Sequence, residues 1–147
     1  MHFFGLIVKN DVFIVGLIAW FIAQALKVIH SLIKDKRLNL YRFVGSGGMP
    51  SSHSSLVMGI STAVGIKSGW DSVAYAIALS FSLIIMYDAS GVRRAVGKQA
   101  IILNKMIEDR HKHKPIGEQR LKELIGHTPV EVFAGALLGI VIANMLI

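Results

Sequence analysis

The sequence lacks cysteine altogether and contains only three prolines, and these scarcities already exclude several classes of protein. Without cysteine the chain can form neither a disulfide scaffold nor a thiolate metal site. Charge is also missing from long stretches, although the 147 residues are 53% hydrophobic and carry a formal net charge of +7. A disordered basic tail would lack these apolar residues, and a low-complexity chain would show a short repeat that this sequence does not have.

Four stretches are nearly free of charge and are long enough, or nearly long enough, to span a membrane. Because a spanning helix needs about 20 mostly apolar residues, we predict membrane segments near residues 11–33, 50–68, 72–88 and 129–147. The second and third are short, so one of them could be re-entrant rather than spanning. We therefore predict a single all-α domain over residues 1–147, a small polytopic membrane bundle, with a buried soluble helical bundle as the alternative.

The basic residues are concentrated in two loops of this topology. Fourteen of the sixteen lysines and arginines lie at or after the end of the first segment or between the third and fourth. The positive-inside rule then places both loops in the cytoplasm of a bacterial cell and both termini outside. An odd number of spans would weaken this assignment. A nucleic-acid partner is disfavoured because the basic residues border the bilayer.

The second basic loop contains a helical pattern. Apolar residues recur with a period of 3.6 at Val92, Val96, Ala100, Leu103 and Ile107. Arg94, Lys98 and Lys105 occupy another face. The pattern predicts an amphipathic interfacial helix whose basic residues favour anionic lipid. Two nearby histidines, His111 and His113, could bind metal, but no third ligand is in evidence, and we predict no metal and no cofactor.

The first segment whose residues could bind a ligand or take part in a reaction is Gly-Gly-Met-Pro-Ser-Ser-His, which ends at His53. Proline favours the first position of a helix, so Pro50 would begin the second membrane helix. The N–H groups of Ser51 and Ser52 would then lie in the first turn, where they can bind an anion such as phosphate. His53 follows on the same turn. The alternative is an ordinary helix start with capping serines and an interfacial histidine.

The second such segment is Gly-His-Thr-Pro-Val-Glu, residues 126–131. Thr128 is a suitable N-cap, Pro129 suits the first helical position, and Glu131 completes a Thr-x-x-Glu capping box. Capping alone explains these three residues. It does not explain His127, which would lie beside a helix N-terminus at the membrane face.

A polar stripe is predicted on the cytoplasmic half of the first membrane helix. Spacings of three and four residues place on one face Gln24, Lys27, Ser31 and Lys34. An ionisable residue at this depth should face protein or water rather than lipid. Lys27 is therefore a candidate binding residue.

These motifs resemble a known superfamily. The Pro50–His53 segment resembles the Pro-Ser-Gly-His motif of the type 2 phosphatidic acid phosphatases, a superfamily that also includes the vanadium-dependent haloperoxidases. His127 and Glu131 resemble its last motif, a histidine followed four positions later by aspartate. The whole chain is similar to a divergent membrane branch of this superfamily, through residues 47–53, 87–94 and 126–132.

The resemblance implies roles for individual residues. His127 would attack phosphorus and form a phosphohistidine, Glu131 would orient its imidazole, and His53 would protonate the leaving group and then activate water. The groups implied to bind phosphate are Lys27, Ser51, Ser52, Arg93 and Arg94. Asp88 would orient one of the two arginines, or would be only an interfacial carboxylate.

The sequence departs from the superfamily pattern at several positions. Seven residues after Lys27 stands Lys34 instead of arginine, so that Arg37 or Arg42 would have to substitute. Leu121 stands where a second arginine precedes the last histidine. Ser52 replaces glycine, and the final acid is glutamate rather than aspartate.

The predicted function is an acid-phosphatase-like integral membrane enzyme that hydrolyses a lipid-type phosphate monoester or diphosphate without metal. The alternative is a catalytically inactive membrane protein that binds a phosphorylated lipid or has a structural or transport-related role. The expected partners are membrane lipids and a phosphorylated lipid-like substrate, and homo-oligomerisation stays open.

Overall fold

Helices form all the regular structure in the residues that this computed structural model describes, which are 2–35, 48–110 and 126–147. In chain order the helices are α1 (His2–Val8), α2 (Asp11–Asp35), α3 (Ser52–Ser68), α4 (Val73–Ser90), α5 (Val92–Arg110) and α6 (Pro129–Leu146). The prediction of an all-α bundle is confirmed. Since α3 packs against α2, α4 and α6, it lies at the centre of the bundle.

Helix α2 has a narrow face toward the protein and a broad apolar face away from it. At its start the Asn10 side chain accepts a hydrogen bond of 3.1 Å from the Phe13 N–H, which satisfies one of the donors that a helix N-terminus leaves unpaired. Small residues at intervals of four are buried, namely Val15, Ala19 and Ala23. The larger Leu17 and Phe21 are exposed, as expected of side chains that face lipid.

Helix α3 is built from small and polar residues. Its buried positions are Ser52, Ser54, Ser55, Gly59, Ser61, Thr62, Ala63 and Gly65. Without large side chains, neighbouring helices can approach its backbone closely, which is how helices often pack inside membranes. The Ser55 hydroxyl, for example, donates to the Ala19 carbonyl of α2 at 3.0 Å.

The crossing of α3 and α6 depends on glycine. A Cβ atom on Gly139 would lie 2.3 Å from the carbonyl oxygen of Ser55 and 2.7 Å from the nitrogen of Gly59. Both neighbours are backbone atoms, so neither can rotate away. Only glycine at position 139 fits this distance between the two helices.

Helix α4 follows α3 after a short turn. Gly69 has a φ of +92° there, a conformation that favours glycine, and the Ser72 side chain caps α4 by accepting from the Tyr75 N–H at 3.1 Å. Along α4 only Ser82 and Ala89 are buried. Most of this helix therefore presents its side chains away from the other helices.

Three stretches are long and apolar enough to cross a membrane: Asp11–Ile33, Val73–Ile107 and Pro129–Leu146. They correspond, within one residue at the ends of the predicted segments that they cover, to the first, third and fourth predicted segments. The second predicted segment corresponds to α3, which has only 17 residues. Among the described residues, three stretches rather than the predicted four are therefore long and apolar enough to cross a membrane. The physical reason is that other helices surround α3, and its surface does not have to be apolar to be buried.

The predicted amphipathic helix is present as α5, which begins after a turn at Gly91. Of the predicted apolar stripe, Ala100 is buried, whereas Val92, Val96 and Leu103 are exposed. Its position at the lipid headgroups stays a prediction.

Contacts at both ends show how α2 and α3 run relative to each other. Near the start of α2, Asp11 forms an ion pair with Lys67 in the last turn of α3. Near the other end of α2, Lys27 contacts Ser52 in the first turn of α3. The two helices are therefore antiparallel, and the first turn of α3 lies at the same end of the bundle as the C-terminal half of α2.

Candidate functional site

Two backbone hydrogen bonds join the three motifs that are far apart in sequence. The N–H of Ser51 donates to the carbonyl of Glu131 at 2.9 Å, and the N–H of His127 donates to the carbonyl of Ala89 at 3.1 Å. The first turns of α3 and α6 and the last turn of α4 therefore meet at one end of the bundle. We call the group Lys27, Ser51, Ser52, His127 and Glu131 the polar junction.

Buried His127 pairs with half-buried Glu131 within the polar junction. Nδ1 of His127 lies 3.0 Å from Oε2 of Glu131, and only 4% of His127 is exposed. An ionised carboxylate can only accept hydrogen bonds, so a neutral imidazole that donates to it carries its proton on Nδ1. In that tautomer the other ring nitrogen, Nε2, has the lone pair that a nucleophile or base needs.

The position of the Glu131 carboxylate is fixed by the start of α6. The same Oε2 atom accepts from the Thr128 N–H at 3.0 Å, while the Thr128 hydroxyl accepts from the Glu131 N–H at 3.3 Å. The predicted capping box is thus confirmed. Since the carboxylate caps the helix and contacts His127 at once, local helix chemistry sets the orientation of the imidazole.

Lys27 brings a buried ammonium group to the polar junction. It is 2% exposed, its Nζ donates to the Ser52 hydroxyl at 3.3 Å, and it interacts electrostatically with Glu131. Gln24 and Ser31 are buried on the same face of α2, so the predicted polar stripe faces protein at 24, 27 and 31. The fourth member, Lys34, has its side chain outside the described part of the chain.

Ser51 has a different position from the one expected. It is the N-cap of α3 rather than a residue of the first turn, and its side chain accepts from the Ser54 N–H at 3.4 Å. Pro50 therefore precedes the cap and is not the first helical residue, which corrects the prediction. The Ser51 N–H is also bonded to Glu131, and this bond removes it from the donors expected to bind an anion.

A second glycine of α6 allows this arrangement. A Cβ on Gly135 would lie 2.2 Å from the carbonyl oxygen of Ser51 and 3.1 Å from its nitrogen. The backbone of Ser51 thus rests directly on the second turn of α6. Any larger residue at position 135 would separate the two halves of the polar junction.

The other predicted site residues have varied surroundings. His53 is exposed although it lies in the first turn of α3, so it differs from the buried His127. Asp88 is half-buried and immediately precedes Ala89, whose carbonyl binds His127. Arg93 and Arg94 are helical residues of α5, but their side chains lie outside the described residues, and so does every atom of Arg37, Arg42 and Leu121.

Several contributors were not predicted from the sequence. Ser54 donates its hydroxyl proton to the Ser51 hydroxyl at 3.0 Å, and the Ala89 carbonyl anchors His127. The run of four serines around His53 was the available signal for Ser54. Nothing local marks the Ala89 carbonyl, because backbone acceptors carry no sequence signature.

Within the described ranges no group of three or more histidine or acidic side chains is placed to hold a metal ion. The polar junction contains one imidazole, one carboxylate, one ammonium and two hydroxyls. Such a set can position a nucleophilic nitrogen and can neutralise part of the charge of a bound phosphate.

Comparisons with known proteins agree with the motif pattern. The Divergent PAP2 family model matches residues 8–142. The uncharacterized membrane protein YuiD of Bacillus subtilis (strain 168) is 38% identical over 142 residues, which cover 89% of this chain and 90% of that protein. No solved structure matches the chain.

Proposed function

Because the chain belongs to the Divergent PAP2 family of integral membrane proteins, we propose that it is a membrane phosphatase that hydrolyses a lipid-type phosphate monoester or diphosphate. The reaction would pass through a phosphohistidine at His127. The observation that carries the proposal is the contact of 3.0 Å between buried His127 and half-buried Glu131, at the same end of the bundle as Lys27.

In the first chemical step Nε2 of His127 forms a bond to phosphorus as the bond from phosphorus to the ester oxygen breaks. The departing alkoxide takes a proton from His53, which acts as general acid. Glu131 stabilises the positive imidazole that forms, because its carboxylate accepts from Nδ1. Splitting hydrolysis into two displacements suits a site whose nucleophile is a side chain.

In the second step water donates a proton to His53 and its oxygen bonds to phosphorus. The N–P bond breaks, inorganic phosphate leaves, and His127 returns to its starting state. The exposed position of His53 on the first turn of α3 supports this role, since that side chain has access to water.

Lys27 and Ser52 are the buried groups proposed to bind the equatorial phosphate oxygens. The ammonium of Lys27 already holds a hydroxyl partner at 3.3 Å, which a phosphate oxygen could replace. Arg93 and Arg94 are proposed as further ligands, since α5 begins two residues after Ser90. Fourteen of the sixteen basic residues lie in the two predicted basic loops, which adjoin the residues of the polar junction in sequence. This supports a site on the cytoplasmic face.

The test is phosphate release by purified protein in liposomes, with a glycerolipid phosphate and an isoprenoid phosphate as substrates. His127→Ala should abolish release. His30→Ala is the matched control, because His30 is an exposed histidine of α2 outside the polar junction, and it should retain wild-type release.

A trapping experiment separates the roles of the two histidines. With an aryl phosphate, whose leaving group needs little protonation, His53→Ala should accumulate an acid-labile phosphoenzyme because the second step lacks its base. His127→Ala should give no phosphoenzyme. A phosphoenzyme in His127→Ala, or none in either wild type or His53→Ala, would contradict the mechanism.

The second candidate function is binding without turnover. It is favoured by one specific observation: the Ser51 N–H is engaged by Glu131, so the anion site has one donor fewer than expected. A wild-type protein that binds vanadate yet releases no phosphate from any substrate would support this function. A protein that binds neither vanadate nor phosphate would leave only a structural role.

A further inference from the structure

Helix α5 has three faces of different chemistry. One face is buried against protein and consists of Gly97, Ala100 and Asn104. A second is exposed and apolar, with its members Val92, Val96, Ile102, Leu103 and Met106. At about 100° per residue these five side chains lie within an arc of about 120°.

The third face carries positive charge. Lys98 and Lys105 are exposed and seven residues apart, so they lie on one line along the helix, beside Ile102 and away from Ala100. The helix therefore combines a packed face, an apolar face and a lysine edge. The apolar face and the lysine edge adjoin each other, which is typical of helices that lie in a membrane surface.

The exposed apolar face would be unfavourable in water. Five large apolar side chains share this face, with exposed Gln99 as the polar residue among them, and each is about half exposed or more. A face of this kind marks an interaction surface. Since α5 starts two residues after the end of α4, a helix within an apolar stretch long enough to cross a membrane, its first turns lie close to lipid.

We propose that α5 docks on the surface of an anionic lipid leaflet, with the apolar face among the upper acyl chains and the lysine edge at the lipid phosphates. The occupant is a lipid surface because the lysines adjoin the apolar face and match anionic headgroups in charge. Each such lysine strengthens association with an anionic surface about fivefold. The proposal does not depend on catalysis at His127.

Because the chain has no cysteine of its own, single-cysteine variants give site-specific labels. Leu103→Cys reports on the apolar face, and Ile101→Cys is the matched control on the opposite side of the same turn. In liposomes that contain phosphatidylglycerol, a fluorophore at position 103 should be quenched several-fold more by lipids spin-labelled near the headgroup than one at position 101. Aqueous iodide should show the reverse order.

The charge dependence provides the second arm of the test. Lys98→Gln with Lys105→Gln, introduced in the Leu103→Cys background, should abolish the extra lipid quenching that phosphatidylglycerol produces over phosphatidylcholine alone. Lys9→Gln removes an exposed lysine outside α5 and should leave that difference intact.

Two results would overturn the proposal. Strong iodide quenching at position 103 in both lipid mixtures would show that the apolar face is in water. Efficient cross-linking or self-quenching between labels at position 103 on separate chains, unaffected by lipid charge, would show that a second copy covers the face instead.

Discussion

Gly135→Ala tests whether the close contact between α3 and α6 holds the polar junction together. The added methyl would lie 2.2 Å from the Ser51 carbonyl oxygen, whereas carbon and oxygen in contact need about 3.3 Å. Ser51 and α6 must therefore separate by about 1 Å. Overpacking of this kind costs about 1–3 kcal/mol of stability, and a displacement of about 1 Å at a reacting group can lower a rate about 100-fold.

The assay pairs unfolding with phosphate release. Intrinsic fluorescence from the two tryptophans follows thermal unfolding in detergent, and release is measured in liposomes. Gly139→Ala is the internal comparison: its methyl would also collide with backbone, 2.3 Å from the Ser55 oxygen, but one turn farther from His127. Both variants should lose stability, and Gly135→Ala should lose more activity than Gly139→Ala.

Gly5→Ala supplies the neutral control, because nothing lies within 4 Å of a Cβ at that position. It should match wild type in both measurements. If Gly135→Ala unfolds at the wild-type temperature and keeps wild-type release, the reasoning is refuted, since the contact would then tolerate a methyl group that the geometry excludes.

Three further substitutions test separate contacts. Glu131→Gln should lower phosphate release by about two to four orders of magnitude, because the imidazole loses its anionic partner. Glutamine also completes a capping box, but the loss of the charge that faces buried Lys27 should lower the unfolding temperature. A rate near wild type would refute the orienting role. Lys27→Met should weaken vanadate binding about 10- to 100-fold through loss of a charge-assisted hydrogen bond, and unchanged titrations would remove Lys27 from the site. Asp11→Asn breaks the partly exposed ion pair with Lys67 and should cost less than about 1 kcal/mol, with the effect fading at high salt in denaturation curves. A larger, salt-independent loss would contradict that interpretation.

Features that depend on residues close in sequence could be predicted. The capping box of α6 joins Thr128 to Glu131, three residues apart. The His127–Glu131 contact, which spans one helical turn, was implied by the family resemblance. The buried face of α2 followed in the same way from helical periodicity, which placed Gln24 and Ser31 beside Lys27. Each of these contacts lies within a single helix or at its end.

Features that depend on long-range packing could not be predicted in the same way. The Ser51 N–H binds a carbonyl eighty residues away, and no local pattern indicates this partner. The low apolar content of α3 likewise makes sense only when α2, α4 and α6 surround it. A hydropathy pattern indicates whether the surface of a helix suits lipid or water. It contains no information about contacts with a neighbouring helix.

The packing of α3 also bears on the number of membrane crossings and thus on the side of the site. Although α3 is not itself one of the three long apolar stretches, it contacts α2 through Ser52 and Lys27 at one end and through Lys67 and Asp11 at the other. Its 17 residues extend about 25 Å, most of the roughly 30 Å hydrocarbon thickness. We expect a central helix that accompanies α2 over this distance to cross the layer that α2 is predicted to cross. With α3 counted as a pass, the number of predicted crossings is even, as the positive-inside argument for the proposed cytoplasmic site requires.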